Sequence, residues 1–184
     1  MRRAAPRSPR SSNLQGRDEE RARKDALLDE LGHVYRDADA SYQGWSCPAS
    51  TECCRFGITG REPYVTSIEL AAVRRSVAAL GGPKAWKRAT RSLPLVGQDD
   101  RERPCPLLTA EGRCAIYAHR PLGCRTFYCD RASKGDGAAV RHKEVTALVR
   151  RVQAIAARHE PGGDQGRPLT RALTELAGGP SRRR

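Results

Sequence analysis

The chain has 184 residues, a length that suits one domain, and 38% of them are hydrophobic while only 5% are aromatic. Its net charge of +13 gathers at the two ends. Residues 1–24 hold eight basic and three acidic side chains, and residues 167–184 hold five and one. Basic tails attract polyanions without sequence preference, whereas a nucleic-acid reader needs a basic stripe on a folded face. We therefore expect non-specific polyanion contact through the tails in preference to specific nucleic-acid recognition.

The N-terminal segment indicates where the protein resides. It is basic, but no apolar stretch follows it, so it does not read as a secretory signal. No run of about 18 apolar residues occurs, and no membrane span is predicted. We expect a cytoplasmic protein.

The first half of the chain is predicted to be a tail followed by helices. Residues 1–16, rich in Arg, Pro and Ser, are expected to form a disordered basic tail. Residues 17–41 predict a helix, because apolar side chains recur at three- and four-residue spacing. An extended segment is expected at Tyr64–Val65, and Thr66 with Glu69 fits a capping box for a helix over 68–80. The apolar stripe of the first helix comprises Leu27, Leu28, Leu31, Val34 and Tyr35.

The second half predicts shorter elements. A helix over 83–91 follows Gly81 and Gly82, and residues 94–103 are loop-like. Residues 105–129 predict short strands and turns, with one turn at 110–112. A linker over 133–139 precedes an amphipathic helix over 141–159, and a short helix is expected over 169–177. The predicted face of the long helix comprises Val145, Leu148, Val149, Val152 and Ile155.

These elements predict a mainly α fold, a small α+β arrangement of helices around irregular cysteine-rich loops with minor β structure. One domain is expected over 17–160, with its motif region at 44–130. Residues 161–184 are expected to form a linker, a short helix and a basic tail.

Seven cysteines fall in two clusters of short loops punctuated by Gly and Pro. Such loops let several sulfurs reach one soft metal ion, and four thiolates suit tetrahedral zinc or an iron–sulfur cluster equally well. A disulfide framework is the rival, but disulfides belong to oxidising compartments, the count is odd, and two of the cysteines are adjacent. A metal site is favoured, although the spacing does not identify the metal. The clusters are Cys47, Cys53 and Cys54, and then Cys105, Cys114, Cys124 and Cys129.

The second cluster carries a specific pattern. It reads CPLL from Cys105, GRCAIY from Gly112, RP at Arg120 and CR at Cys124, with an aromatic pair at 127–128. Over residues 44–130 this resembles the YkgJ-type cysteine-cluster family, a zinc- or iron-chelating domain of the CxxCxxCC type.

The resemblance implies a zinc or iron–sulfur protein in which all seven cysteines are metal ligands. This chain has Ser50 where the family's front motif has its second cysteine. Serine is a poor ligand for soft metals, so an eight-sulfur arrangement is not implied.

Two other functions remain open. The family's cysteine region is similar to that of flagellin lysine N-methylases, which implies a metal-dependent or iron–sulfur enzyme as an alternative. No strand–GxGxxG–helix unit for a nucleotide-type cofactor is present, and no catalytic residue is predicted. A zinc-stabilised nucleic-acid-binding module that uses the basic tails is the other alternative.

Several neighbours of the cysteines have two possible roles. Arg120 and Arg125 are expected to offset thiolate charge and donate hydrogen bonds, in preference to binding an anionic substrate. His119 is an alternative ligand in place of a missing sulfur, against the commoner role of a surface histidine. No Ser/His/Asp constellation is identifiable. A hydrophobic shell around the site is expected from Tyr117, Phe127, Tyr128 and Trp45.

Overall fold

The structure is a computed structural model that describes residues 9–41, 51–90, 100–126, 138–164 and 166–178. These residues form seven α-helices, three short 3-10 turns and one two-stranded antiparallel sheet, which confirms a mainly α fold with minor β structure. None of the described helices is long and apolar enough to cross a membrane. The elements are α1 (Pro9–Ala40), α2 (Phe56–Thr59), β1 (Tyr64–Val65), α3 (Ser67–Ala79), α4 (Gly82–Thr90), α5 (Leu122–Thr126), α6 (Ala138–His159), β2 (Arg167–Pro168) and α7 (Leu169–Gly178).

The first helix is longer than the sequence predicts. It begins at Pro9, eight residues before the predicted start at residue 17, while residues 1–8 lie outside the described chain. Proline favours the first turn of a helix, because its fixed φ suits the helix and its missing N–H has no partner there. The predicted apolar stripe is confirmed, and Ala38 extends it.

The larger helices enclose the first of two core clusters. α1 packs against α3, α5 and α6, and its buried stripe meets apolar side chains from each of them. On α6 the predicted face is right except at Val149, which is 38% exposed. Val149 follows the buried Leu148 directly, and one helical residue turns the side chain by about 100° away from the core. Ala156 takes a core position instead.

The second core cluster lies beneath the cysteine loops and includes the C-terminal elements. β1 pairs with β2, with Tyr64 opposite Pro168 and Val65 opposite Arg167. α7 then buries Leu169, Ala172 and Leu173, at the spacing of one helical face. The predicted domain end at residue 160 therefore leaves out chain that completes this core, because those apolar side chains can be buried only against the domain.

A buried carboxylate connects three helices. Glu69, only 3% exposed, forms the predicted capping box, and its Oε2 accepts hydrogen bonds from the Thr66 amide and hydroxyl, both at 2.9 Å. Its Oε1 accepts from the Leu122 amide at 2.9 Å and from the Tyr35 hydroxyl at 3.4 Å. One side chain thus ties the start of α3 to the start of α5 and to the C-terminal part of α1.

Glu69 should make stability depend on pH. Burial raises its pKa above the ordinary value of 4.5, although its hydrogen bonds act in the opposite direction. The native state therefore keeps this proton to a higher pH than the unfolded chain does. Compared with Glu69→Gln, the wild-type free energy of unfolding should fall as pH rises above 4.5, by at most about 1.4 kcal/mol per unit, until the native carboxyl ionises.

Urea unfolding of both proteins across this pH range measures the effect. The prediction is wrong if the free energy of unfolding of the wild type, relative to that of Glu69→Gln, stays constant or rises with pH. Glu69→Ala serves as the comparison for the lost hydrogen bonds, since it strands the buried Leu122 amide and should cost about 3 kcal/mol.

Candidate metal centre

The first cysteine loop is a tight turn. Thr51 adopts a left-handed conformation with φ of 60°, and a 3-10 turn over Glu52–Cys54 follows it. The Cys54 amide donates to the Thr51 carbonyl at 2.8 Å, and the Arg55 amide donates to the Glu52 carbonyl at 3.0 Å. This turn brings the Sγ atoms of Cys53 and Cys54 to 3.8 Å from each other.

Backbone hydrogen bonds join this loop to the start of the second cluster. The Cys105 amide donates to the Cys54 carbonyl at 2.6 Å, and the Phe56 amide donates to the Arg103 carbonyl at 3.1 Å. Arg55 forms an ion pair with Glu102 at 2.8 Å across the same junction. The two clusters, distant in sequence, are therefore adjacent in the fold.

A small hairpin positions Cys114. The Ala115 amide donates to the Leu107 carbonyl and the Thr109 amide donates to the Arg113 carbonyl, each at 2.8 Å, around the predicted turn at 110–112. Gly112 has φ of 69°, and a Cβ there would lie 3.1 Å from the Thr51 side chain. A glycine therefore lets the turn rest against the first cysteine loop.

Cys124 lies on α5, where the sequence predicted only strands and turns. Gly123 permits the close packing of this helix, because a Cβ there would lie 3.0 Å from the Pro63 side chain. Glu69 accepts a hydrogen bond from the Leu122 amide, two residues before Cys124. The helix follows the buried Pro121, whose ring favours a first helical turn.

The buried thiols influence one another. Burial raises the pKa of Cys105 to about 12, and Cys114 and Cys53 add to this effect. Burial also raises the pKa of Cys124, which is further raised by Cys105, Cys114, Glu69 and Cys53. Thiols from all three segments are thus close enough to oppose one another's ionisation.

Cys53 and Cys54 form a hydrogen-bonded pair of thiols. The hydrogen bond from Cys54 lowers the pKa of Cys53 to about 7 against the effect of burial, and Arg120 contributes in the same direction. The pKa of Cys54 is raised in return, first by this hydrogen bond and then by burial. The pair therefore loses its first proton readily and retains the second.

The assignment of particular cysteines as metal ligands stays a prediction. None of the five described cysteines forms a disulfide. Among the described residues, no three His, Cys, Asp or Glu side chains stand together as a preassembled set of ligands. Cys47, Cys129 and Ser50 lie outside the described chain, as do the aromatic residues at 45, 127 and 128.

The arginine beside Cys124 has structural partners. Arg125, 4% exposed, donates to the carbonyls of Arg120 and Ala118, pairs with Asp39 of α1, and stacks 4.4 Å from the centre of the Tyr35 ring. It thereby fastens α5 to α1. The sequence gives no signal for Asp39, which is one of many charged residues on α1.

Arg120, Tyr117 and His119 lie in the turn before α5. Arg120 stacks 4.0 Å from the centre of the Tyr117 ring and lies 3.6 Å from Asp39. Tyr117 is 46% exposed, so its ring lies at the protein surface. The ring covers the guanidinium group of Arg120, whose side chain is only 16% exposed, in a cation–π contact. His119 is exposed, as a surface histidine is expected to be.

The cysteine region matches a known protein family. A family model named CxxCxxCC, described as "Putative zinc- or iron-chelating domain", matches residues 46–147. The match covers more than half of the chain. The chain belongs to this family. No curated protein and no solved structure matches it.

The family description supports metal binding, with zinc or iron as the metal. The matched region contains all seven cysteines and extends into α6, beyond the end at residue 130 that the motif resemblance indicates.

The junction between the clusters predicts a sensitive glycine. A Cβ at Gly57 would lie 1.7 Å from the Arg101 carbonyl oxygen, so Gly57→Ala must displace the backbone that precedes Cys105. We expect a loss of about 1–3 kcal/mol of stability in chemical denaturation.

Gly32→Ala on α1 is the matched control. Its Cβ would meet only the flexible end of Arg36 at 3.6 Å, and alanine should stabilise that helix by about 0.5–1 kcal/mol. Equal effects of the two substitutions would show that the close approach of 100–102 to α2 is absent in solution.

Proposed function

We propose that this protein holds zinc or iron, or an iron–sulfur cluster, through thiolates from both cysteine clusters. The ligands are drawn from Cys53, Cys54, Cys105, Cys114 and Cys124, together with Cys47 and Cys129. The observation that carries the proposal is the packing of Cys54, Cys114 and Cys124 against the core cluster that contains Cys105, with Cys53 Sγ 3.8 Å from Cys54 Sγ.

The physical argument concerns charge. Several buried thiolates without a cation would repel one another, and burial raises the pKa of Cys105 and Cys124 for the same reason. A bound metal ion supplies the compensating charge and releases the thiol protons. This donor set, rich in soft sulfur, fits zinc or iron and does not fit magnesium or calcium.

The site should also stabilise the fold. The proposed ligands lie in the 51–54 turn, in the 105–115 region and on α5, so one metal site would cross-link three segments. Binding free energy at such a site becomes folding free energy. Only 5% of the residues in the chain are aromatic, so its core has few large side chains and gains from stabilisation by a metal site.

We assign the chain to the YkgJ type of this family, on the pattern around Cys105, Cys114 and Cys124. Residues 17–178 form the proposed domain. A cytoplasmic location suits described cysteines that form no disulfide, because reducing compartments keep thiols reduced. The enzyme and nucleic-acid alternatives have no specific observation in their favour at this site.

Elemental analysis with an absorption spectrum tests the proposal, on full-length protein purified without oxygen. Zinc or iron should be present in proportion to chain, and iron with sulfide should give a broad band near roughly 400 nm. Protein that is folded, metal-free and unresponsive to added Zn²⁺ or to iron with sulfide would refute it.

Single substitutions test the ligands. Loss of a group that hydrogen-bonds a metal ligand weakens metal binding by about 10–100-fold. Cys114→Ser and Cys124→Ser each remove a proposed ligand itself, so each should weaken metal binding by more than that. Ala118→Ser is the control, since it adds a serine to the neighbouring exposed turn and removes no sulfur.

Metal per chain is measured on the monodisperse, helical fraction of each variant, by competition with a chelator. Unchanged affinity in both cysteine variants would refute their assignment as ligands. An equal loss in Ala118→Ser would show a fold effect instead.

A further inference from the structure

A cavity lies apart from the cysteines. It has a volume of about 420 Å³ and is lined by α1, the first half of α3, the end of α6 and β2. None of its lining residues is a cysteine. The volume falls within the range of about 300–1,000 Å³ that small-molecule sites occupy.

Cationic side chains from three elements line this cavity. Arg23 and Lys24 come from α1, Arg74 from α3 and Arg167 from β2, against the carboxylates of Glu20 and Glu160. The lining therefore carries a net positive charge.

Two of these cations are available to a ligand. Arg167 is paired with Glu175 at 3.0 Å, and Arg23 donates to the Arg158 carbonyl. Lys24 and Arg74, within the described chain, form neither an ion pair nor a hydrogen bond. Lys24 supplies a compact ammonium charge on a flexible side chain, and Arg74 supplies several N–H donors from a planar guanidinium group. Together they suit an anion with several oxygens.

A hydrogen-bonded Ser–His pair completes the lining. Ser67 Oγ lies 2.8 Å from His159 Nδ1, and both residues line the cavity. Burial and nearby Lys24 lower the pKa of His159, so the ring is neutral near pH 7. Whichever partner donates in this pair, one N–H or O–H donor remains for a ligand.

The pair is arranged for binding and not as a catalytic triad. Asp164 accepts a hydrogen bond from the Ser67 amide at 2.5 Å, and among the described residues the His159 ring donates no hydrogen bond to the Asp164 carboxylate. The sequence did not reveal this grouping, because its members are some ninety residues apart.

We propose that this cavity binds the phosphate group of a small anionic ligand, a phosphomonoester or a diphosphate. A phosphate presents acceptor oxygens in several directions, which matches donors arriving from α1, α3 and the end of α6. The concave shape distinguishes the site from a basic surface that attracts any polyanion. This inference goes beyond metal binding and does not depend on it.

Pyrophosphate binding to the metal-loaded, full-length protein tests the proposal. Calorimetry should show one site, and the ring proton signals of His159 should shift in NMR while those of exposed His33 and His142 do not. The double variant Lys24→Gln/Arg74→Gln should lose affinity by at least tenfold, as expected when two charge-assisted contacts are removed.

Lys143→Gln/Arg150→Gln is the matched control. It removes the same charge from exposed positions on α6 that do not line the cavity, and it should change affinity less than twofold. Ser67→Ala gives a third measurement with a smaller loss, since Glu69 still caps α3.

The outcomes separate the sources of phosphate. Equal losses in both double variants would indicate a general effect of net charge and overturn the proposal. So would the absence of pyrophosphate binding at millimolar concentration. Binding of a single-stranded oligonucleotide or of anionic vesicles that depends on Lys24 and Arg74, without binding of pyrophosphate, would assign these residues to a macromolecular surface instead.

Discussion

The buried carboxylate of Glu69 is the interaction on which the described fold depends. It accepts hydrogen bonds from the Thr66 amide at the start of α3, from the Leu122 amide at the start of α5 and from the Tyr35 hydroxyl on α1. Burial of a carboxylate is costly, and its raised pKa reflects that cost. The protein tolerates it because no apolar side chain could satisfy two helix ends at once.

The cysteine region is built upon that framework. Glu69 and Arg125 fix α5 from opposite sides of Cys124, one through the Leu122 amide and the other through Asp39 and two carbonyls. The first cysteine loop is joined to Cys105 by main-chain hydrogen bonds, which depend little on side-chain identity. The polypeptide therefore brings thiols from distant parts of the sequence into one core cluster, in a chain that belongs to a zinc- or iron-chelating family.

Much of the fold follows from local sequence. Apolar spacing located the buried stripe of α1 and nearly all of the α6 face, and Thr66 with Glu69 marked the start of α3. These signals are local, because a helix repeats every few residues and its caps lie within one turn. The start of α1 at Pro9 and the burial of α7 against the domain do not follow from local sequence. Polarity suggested disorder at residues 9–16, and the partner of α7 lies about one hundred residues earlier, at β1.

The sequence by itself determined the residue types of the candidate metal centre. Soft sulfur donors in Gly/Pro-punctuated loops favour a zinc or iron site wherever they meet. Only the tertiary structure decided which chain segments face each other. It placed Cys54 against Cys105, buried Arg125 between α5 and α1, and brought Ser67 to His159. Burial and electrostatic coupling act through space, so no pattern of neighbouring residues contains them.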